Sequence, residues 1–183
     1  MRAAARLAAV LDALAERTGR AVSWLTLAMV LLTFLIVVLR YVFSLGWIAM
    51  QEAVVYLHAS VFMLGAADTL RHDGHVRVDV LYRRLGPRGR AIVDLAGALL
   101  LLAPTCLYVL WSSWDYVAAS WALREGSREA GGLPWVYWLK TLIPAAAVLL
   151  LLQGAAQALR AALALAGAAA PQAGPHPPAE PEV

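Results

Sequence analysis

The stretch "AVSWLTLAMVLLTFLIVVL", residues 21–39, is the strongest single indication of the fold class of this chain. It contains no charged residue and is bounded by Arg20 and Arg40. A helix of about 20 apolar residues crosses the hydrocarbon core of a bilayer. A cleaved signal peptide has a shorter apolar core, of roughly 7 to 15 residues, and ends at a small-residue site, whereas this run continues into "RYVF". We therefore predict that it is a transmembrane helix that stays in the protein.

The composition of the whole chain agrees with that prediction. Hydrophobic residues make up 62% of the 183 residues and charged residues 15%, and the mean hydropathy is +0.68. Ordinary soluble domains are roughly 45–50% apolar and about 25% charged. The single cysteine, Cys106, excludes an internal disulfide. The chain is thus expected to be one all-α integral membrane module.

Three further charge-poor runs predict three more spans, at residues 53–70, 95–114 and 141–159. Pro104 lies inside the third run and is expected to kink it. Pro144 is expected in the first turn of the fourth helix, where proline is tolerated. The predicted fold is therefore a transmembrane domain of four helices.

Segments of different character flank this domain, which occupies residues 21–160. Residues 1–20 place four apolar side chains on one helical face, which predicts an amphipathic helix on the membrane surface. A frayed polar leader is the alternative, because isolated helices this short are marginal in water. Residues 161–183 are rich in Ala and Pro and are expected to be disordered. The apolar face of the first segment consists of Leu7, Val10, Leu11 and Leu14.

The distribution of arginine predicts the orientation of the spans. Four arginines precede the first span and six lie between the second and third, whereas acidic residues balance the few cations of the other connections. Positively charged segments stay in the cytoplasm, so both termini are expected to be cytoplasmic. Six of the seven tryptophans lie near the opposite ends of the spans, as in an interfacial aromatic belt. These six are Trp47, Trp111, Trp114, Trp121, Trp135 and Trp138.

The basic loop "TLRHDGHVRVDVLYRRLGPRGR", residues 69–90, is the most polar stretch of the chain. A turn is expected at Asp73 and Gly74. Apolar residues then recur at helical spacing from Val78 to Leu85, until Gly86 and its following proline end the pattern. We expect a short interfacial helix that contacts anionic lipid headgroups, in which Asp79 can pair with an arginine four residues on. Contact with another protein is the alternative.

Other classes of function fit this loop poorly. A metal site made of His72, Asp73, His75 and Asp79 would lack a convincing third ligand at fixed spacing. Nucleic-acid binding requires a larger basic surface with aromatic residues for stacking. No nucleophile, base and orienting group occur together, so we predict no enzyme, no catalytic residue, no metal and no cofactor.

Few polar residues lie at mid-depth in the predicted spans. Transporters that act alone hold ionisable groups or broken helices near the midplane, so this chain is not expected to transport a solute by itself. His58 is a lone intramembrane imidazole, for which a hydrogen bond to a neighbouring helix or contact with a partner is expected. Arg40 and Glu52 flank the first outer connection, where an ion pair and two snorkelling side chains are equally compatible with the pattern. The central polar residues are Thr33, His58, Ser60, Thr105, Cys106 and Gln153.

Several motifs resemble the small permease subunit of tripartite ATP-independent periplasmic (TRAP) transporters. They are "RYVF" after the first span, Trp47 with Glu52, "GAADTLRHDGHVRVDVLY" at residues 65–82 and "GGLPWVYWLKTLIP" at residues 131–144. The resemblance covers about residues 24–159.

The resemblance implies a multi-pass subunit of the bacterial inner membrane without catalytic or cofactor-binding residues. Its implied partners are a large permease subunit, a periplasmic substrate-binding protein and membrane lipids, but no nucleic acid. It implies a scaffold for ion-gradient-driven, sodium-coupled uptake of an organic anion such as a carboxylate. A haem-bearing redox anchor and a small self-contained exporter are the alternatives. Candidate motif, partner or lipid contacts are Arg40, Trp47, Glu52, His58, Arg71, His75, Arg77, Asp79, Tyr82, Gly131, Gly132 and Pro134.

Overall fold

The computed structural model describes residues 2–76, 79–82 and 84–167, and the regular structure within them is helical. Four helical stretches are long and apolar enough to cross a membrane, which confirms the predicted fold class. Which side of the membrane the termini occupy stays a prediction. The elements are α1 (Arg2–Val42), α2 (Ile48–Arg71), α3 (Asp79–Tyr82), α4 (Pro87–Ala96), a π-helical segment (Gly97–Leu102), α5 (Ala103–Ala122) and α6 (Val136–Leu165).

The first helix extends beyond its predicted span. It runs without interruption through all 41 residues of Arg2–Val42, and no break in the helix follows residue 20. Ala8, Ala15 and Val22 recur every seven residues and are its buried side chains. A repeat of small residues at this spacing lets one face of a helix approach a neighbour closely. The N-terminal part of α1 is thus a packed extension of the first span.

Helix α6 is the central element of the bundle, since it packs against α1, α2 and the third span. Leu102 fills the space above Gly154, where an added Cβ would overlap a terminal carbon of that leucine. The helix begins at Val136, before the predicted span. Pro144 therefore lies inside the helix and not in its first turn, so the carbonyl of Lys140 lacks its usual N–H partner.

The third span comprises α4, the π-helical segment and α5, and it extends over Pro87–Ala122. The π-helical segment ends two residues before Pro104, whose missing N–H and bulky ring disturb the regular hydrogen-bond pattern. The kink expected at this proline stays a prediction. Its position lets Leu102 reach Gly154 in α6.

The connection between the second and third spans contains a short helix. Within the helix expected over residues 78–85, the described helical part is the turn α3, and the third span begins at Pro87 instead of residue 95. Proline at the first helical position is preorganised for helix, which explains the early start. Helix α6 continues to Leu165, into the tail that was predicted to be disordered from residue 161. The chain from residue 168 onward lies outside the described residues, as do Arg77, Val78 and Arg83. The expected pair between Asp79 and Arg83 therefore stays a prediction.

The bundle has two chemically different ends, which we name from their residues. The basic end contains the start of α1, the final turns of α2 and α6, and the described residues of the connection between α2 and α4. The tryptophan end contains the connections at residues 43–47 and 123–135. At the tryptophan end, the Trp121 ring meets the edges of Tyr137 and Trp138 at centroid distances of 4.6 and 5.1 Å.

Candidate functional site

A carboxylate joins two connections at the tryptophan end. Glu52, near the start of α2, accepts a hydrogen bond from the Ser127 hydroxyl and another, of 2.6 Å, from the backbone N–H of Leu133. Both donors belong to the loop between α5 and α6. We call Glu52, Ser127, Gly132 and Leu133 the Glu52 clasp. It holds the α5–α6 loop against the second span.

The glycines of the predicted "GGLP" motif give the clasp its shape. Gly131 has a φ of +77°, a conformation that disfavours other residues. A Cβ on Gly132 would lie 2.5 Å from the Cβ of Ser127 and 2.8 Å from a Glu52 oxygen, so a side chain has no room there. The backbone of Pro134 crosses close to Gly126. The motif thus lets the loop fold onto the Glu52 carboxylate.

A second carboxylate, that of Glu125, stabilises the α5–α6 loop through contacts with both flanking helices. Glu125 accepts a 2.6 Å hydrogen bond from Ser120 and is paired with Lys140 in the first turns of α6. The Lys140 hydrogen bond, and then the Ser120 bond, hold the pKa of Glu125 below its ordinary value of 4.5. The Lys140 ammonium also lies 3.9 Å from the centre of the Tyr116 ring. These contacts fix the ends of α5 and α6 to each other.

At the basic end, an aspartate of α1 holds two residues of α6. The Asp12 carboxylate accepts hydrogen bonds from Gln153 at 2.9 Å and from Arg160 at 2.6 Å. Gln153 is only 1% exposed. The sequence predicts a surface helix around Asp12 and places Gln153 among the few polar residues at mid-depth. In the structure they are partners, because Asp12 shares its helix face with the buried Ala8 and Ala15.

A neighbouring cluster links α1 to the end of α2. Arg71 forms ion pairs with Glu16 at 3.1 Å and Asp68 at 3.5 Å. Gly19 allows this approach, because a Cβ at that position would lie 2.6 Å from the Cβ of Asp68. Arg71, predicted as a motif residue, is therefore part of the packing between the first two spans.

Residues of the basic loop border a cavity. The Tyr82 hydroxyl donates to the Asp94 carboxylate at 2.9 Å, and the Arg90 guanidinium lies 5.5 Å from the centre of the Tyr82 ring. His75 is exposed and lines a cavity of about 650 Å³ between the loop, the third span and α6. Asp79 begins the one-turn helix α3. Arg77 lies outside the described residues.

Three predicted residues stay apart from these clusters. Arg40 is exposed in the last turn of α1, and no ion pair joins it to Glu52, although both belong to the described ranges. Trp47 precedes the first turn of α2 and is half exposed. His58 is exposed on α2 and stacks on Phe62 of its own helix. The expected hydrogen bond from His58 to a neighbouring helix of the bundle is absent among the described residues.

The sequence gives little indication of which residues contact each other at the two ends of the bundle. Ser127 lies in a loop that is rich in charged residues and has no motif of its own. Glu125 and Lys140 lie on opposite sides of the "GGLP" motif. A turn at this motif would bring the two residues together, so the motif could have predicted their pairing. Asp12 and Arg160 lie near opposite ends of the chain, so only the fold brings them together.

These features define a multi-pass α-helical membrane protein whose spans are tied together by polar contacts at both ends. The family model described as "Tripartite ATP-independent periplasmic transporters, DctQ component" matches residues 29–164. The chain belongs to this family, as its motifs predicted.

Two curated relatives belong to the same class of protein. A protein of Haemophilus influenzae described as a TRAP transporter small permease protein is 36% identical over 86 residues, which is 47% of this chain and 53% of that protein. The C4-dicarboxylate TRAP transporter small permease protein DctQ of Vibrio cholerae is 33% identical over 89 residues, which is 49% of this chain and 38% of that protein. The chain thus matches about half or less of these relatives' lengths. No solved structure matches it.

Proposed function

We propose that this chain is a non-catalytic subunit that braces the large permease of a TRAP transporter in the bacterial inner membrane. The transporter imports an organic anion, a carboxylate, with the energy of an ion gradient, and a periplasmic substrate-binding protein delivers the substrate. The family match over residues 29–164 is the observation that carries this proposal. The name of the Vibrio cholerae relative supports a C4-dicarboxylate as the first substrate to test.

The contacts within the bundle support a bracing role. Glu52 ties the α5–α6 loop to α2 at one end, and Asp12 ties α1 to α6 at the other. Between these ends α6 packs with small residues, and Ala156 is fully buried. Polar contacts at both ends and close packing between them resist shear of the helices. A bundle of this kind offers a stiff surface to a partner that changes conformation.

Reconstitution tests the proposed function. Liposomes that contain the large permease and this chain, with the substrate-binding protein outside, are expected to accumulate a radiolabelled C4-dicarboxylate when a sodium gradient is applied. Omitting this chain should abolish uptake, and liposomes with this chain alone should show none. Uptake by this chain alone, or uptake by the large permease that is unchanged when this chain is omitted, would refute the proposal.

A further inference from the structure

The outward face of α2 carries a stripe of exposed residues. At 3.6 residues per turn, five of them fall within a sector of about 60°. The phenyl ring of Phe62 is 75% exposed and is the most prominent member. Polar side chains occur at both ends and in the middle of the stripe. Its members are Gln51, Val55, His58, Phe62 and Thr69.

His58 determines what can cover this stripe. It lies about 15 Å along the helix from Ile48 and about 20 Å from Arg71, at 1.5 Å per residue, and is therefore near mid-span. Its imidazole is exposed and contacts Phe62, without a hydrogen bond to any described residue. Lipid chains offer no hydrogen-bond partner, and an unpaired polar group is costly in hydrocarbon. A protein helix with a polar side chain can satisfy the imidazole, whereas lipid cannot.

A groove beside the stripe has room for such a helix. It has a volume of about 590 Å³ and lies between α1 and α2. A Cβ on Gly65 would come no closer than 3.9 Å to Val22, so the bundle itself does not require glycine there. The absence of a side chain at this position keeps the groove open to the outside. Its membrane-depth lining includes Ser23, Thr26, Phe62, Gly65, Ala66 and Thr69.

We infer that the α2 stripe, with the adjoining α1–α2 groove, is the surface on which a transmembrane helix of the large permease docks. The inference rests on the proposed function and names its contact surface. The partner helix places a hydrogen-bonding side chain opposite His58 and packs along Phe62 and Gly65. Ser23 and Thr26 line the same groove, and small polar residues on a helix surface favour a protein partner over lipid.

Site-specific photocrosslinking in native membranes tests the surface directly. A benzoylphenylalanine in place of Phe62 is expected to crosslink to the large permease. The same group in place of Tyr108, which is 64% exposed on the third span, is the matched control and is expected to give no such crosslink. Crosslinks to the large permease from position 108 but not from position 62 would refute the surface and leave the proposed function intact. A crosslink from position 62 to a second copy of this chain would also refute it.

Substitutions provide a second measurement, the dissociation constant of the two subunits in lipid vesicles. Loss of one interhelical hydrogen bond in a membrane weakens association roughly 3- to 30-fold. His58→Leu should therefore raise the dissociation constant by this factor. His58→Gln should raise it much less, because its amide can still form a hydrogen bond. Gly65→Leu fills the groove and should prevent association. Gly97→Leu is the control, because Gly97 lies on the third span and a Cβ added there would have no atom within 4 Å.

The outcomes separate the two proposals. Unchanged association of His58→Leu and Gly65→Leu, each with normal helix content by circular dichroism, would refute the docking surface. Failure of the native chain to associate with the large permease would refute the proposed function and, with it, the surface that rests on it.

Discussion

Replacing Asp12 with alanine should release the N-terminal part of α1 from α6. The Asp12 carboxylate accepts hydrogen bonds from Gln153 at 2.9 Å and Arg160 at 2.6 Å. Without it, Arg160 loses its counter-ion and the Gln153 amide, which is 1% exposed, loses the partner of its NH₂ group. The substitution therefore removes both side-chain contacts that hold this part of α1 on α6.

The magnitude follows from these contacts. A hydrogen bond to a charged group contributes about 1.5–3 kcal/mol, and an unsatisfied buried donor costs about 1–3 kcal/mol. The two effects overlap, and the Asp12 side chain is still 24% exposed. We therefore expect Asp12→Ala to destabilise the α1–α6 contact by about 2–3 kcal/mol. Because 1.4 kcal/mol corresponds to a factor of ten, local opening should rise roughly 30- to 150-fold.

Maleimide labelling measures this opening. Ala8 is 3% exposed and lies one turn before Asp12, so a cysteine at position 8, with Cys106 replaced by alanine, reports release of this segment. Asp12→Ala should raise the labelling rate by the factor given above, and Asp12→Asn by less, since its amide oxygen still accepts one bond. Arg20→Gln breaks only the exposed pair with Glu16 and is the control. Equal labelling of Asp12→Ala and Arg20→Gln would show that α1 does not pack on α6 in this way.

Three further predictions concern packing and pH. Gly132→Ala should lower the free energy of unfolding by about 1–3 kcal/mol, because its Cβ meets the rigid Cβ of Ser127. Gly154→Ala should be nearly neutral, because the terminal methyl group of Leu102 that its Cβ meets can rotate away and because alanine favours helix. Equal losses of thermal stability in Gly132→Ala and Gly154→Ala would contradict this reasoning. Glu125 has a lowered pKa, so its ionised form stabilises the fold above pH 4.5 and this stability disappears as the pH falls through the lower folded-state pKa. Glu125→Gln should flatten that part of a melting-temperature profile, and an unchanged acid slope would count against the Glu125–Lys140 contact.

The class of the protein and the number of its spans could be predicted from the order of residues alone. Transfer of apolar residues from water to hydrocarbon is a local property, which sums along each helix and needs no knowledge of neighbours. The motif residues Glu52, Gly131 and Gly132 were also visible in the sequence, and the structure brings Glu52 and Gly132 into one clasp. Their spacing alone did not show this contact.

Which polar groups pair became clear only from the packed helices. Residue spacing was equally compatible with an Arg40–Glu52 ion pair and with two snorkelling side chains, whereas the structure pairs Glu52 with Ser127, 75 residues away. The apolar face of residues 1–20 suggested a separate surface helix. In the structure, the face of this segment that carries the buried Ala8 and Ala15 packs in the bundle. This packing places Asp12 beside Gln153, 141 residues away. Partners so far apart depend on how whole helices pack. Hydropathy sets that packing only in outline, because each apolar face can turn toward lipid as well as toward another helix.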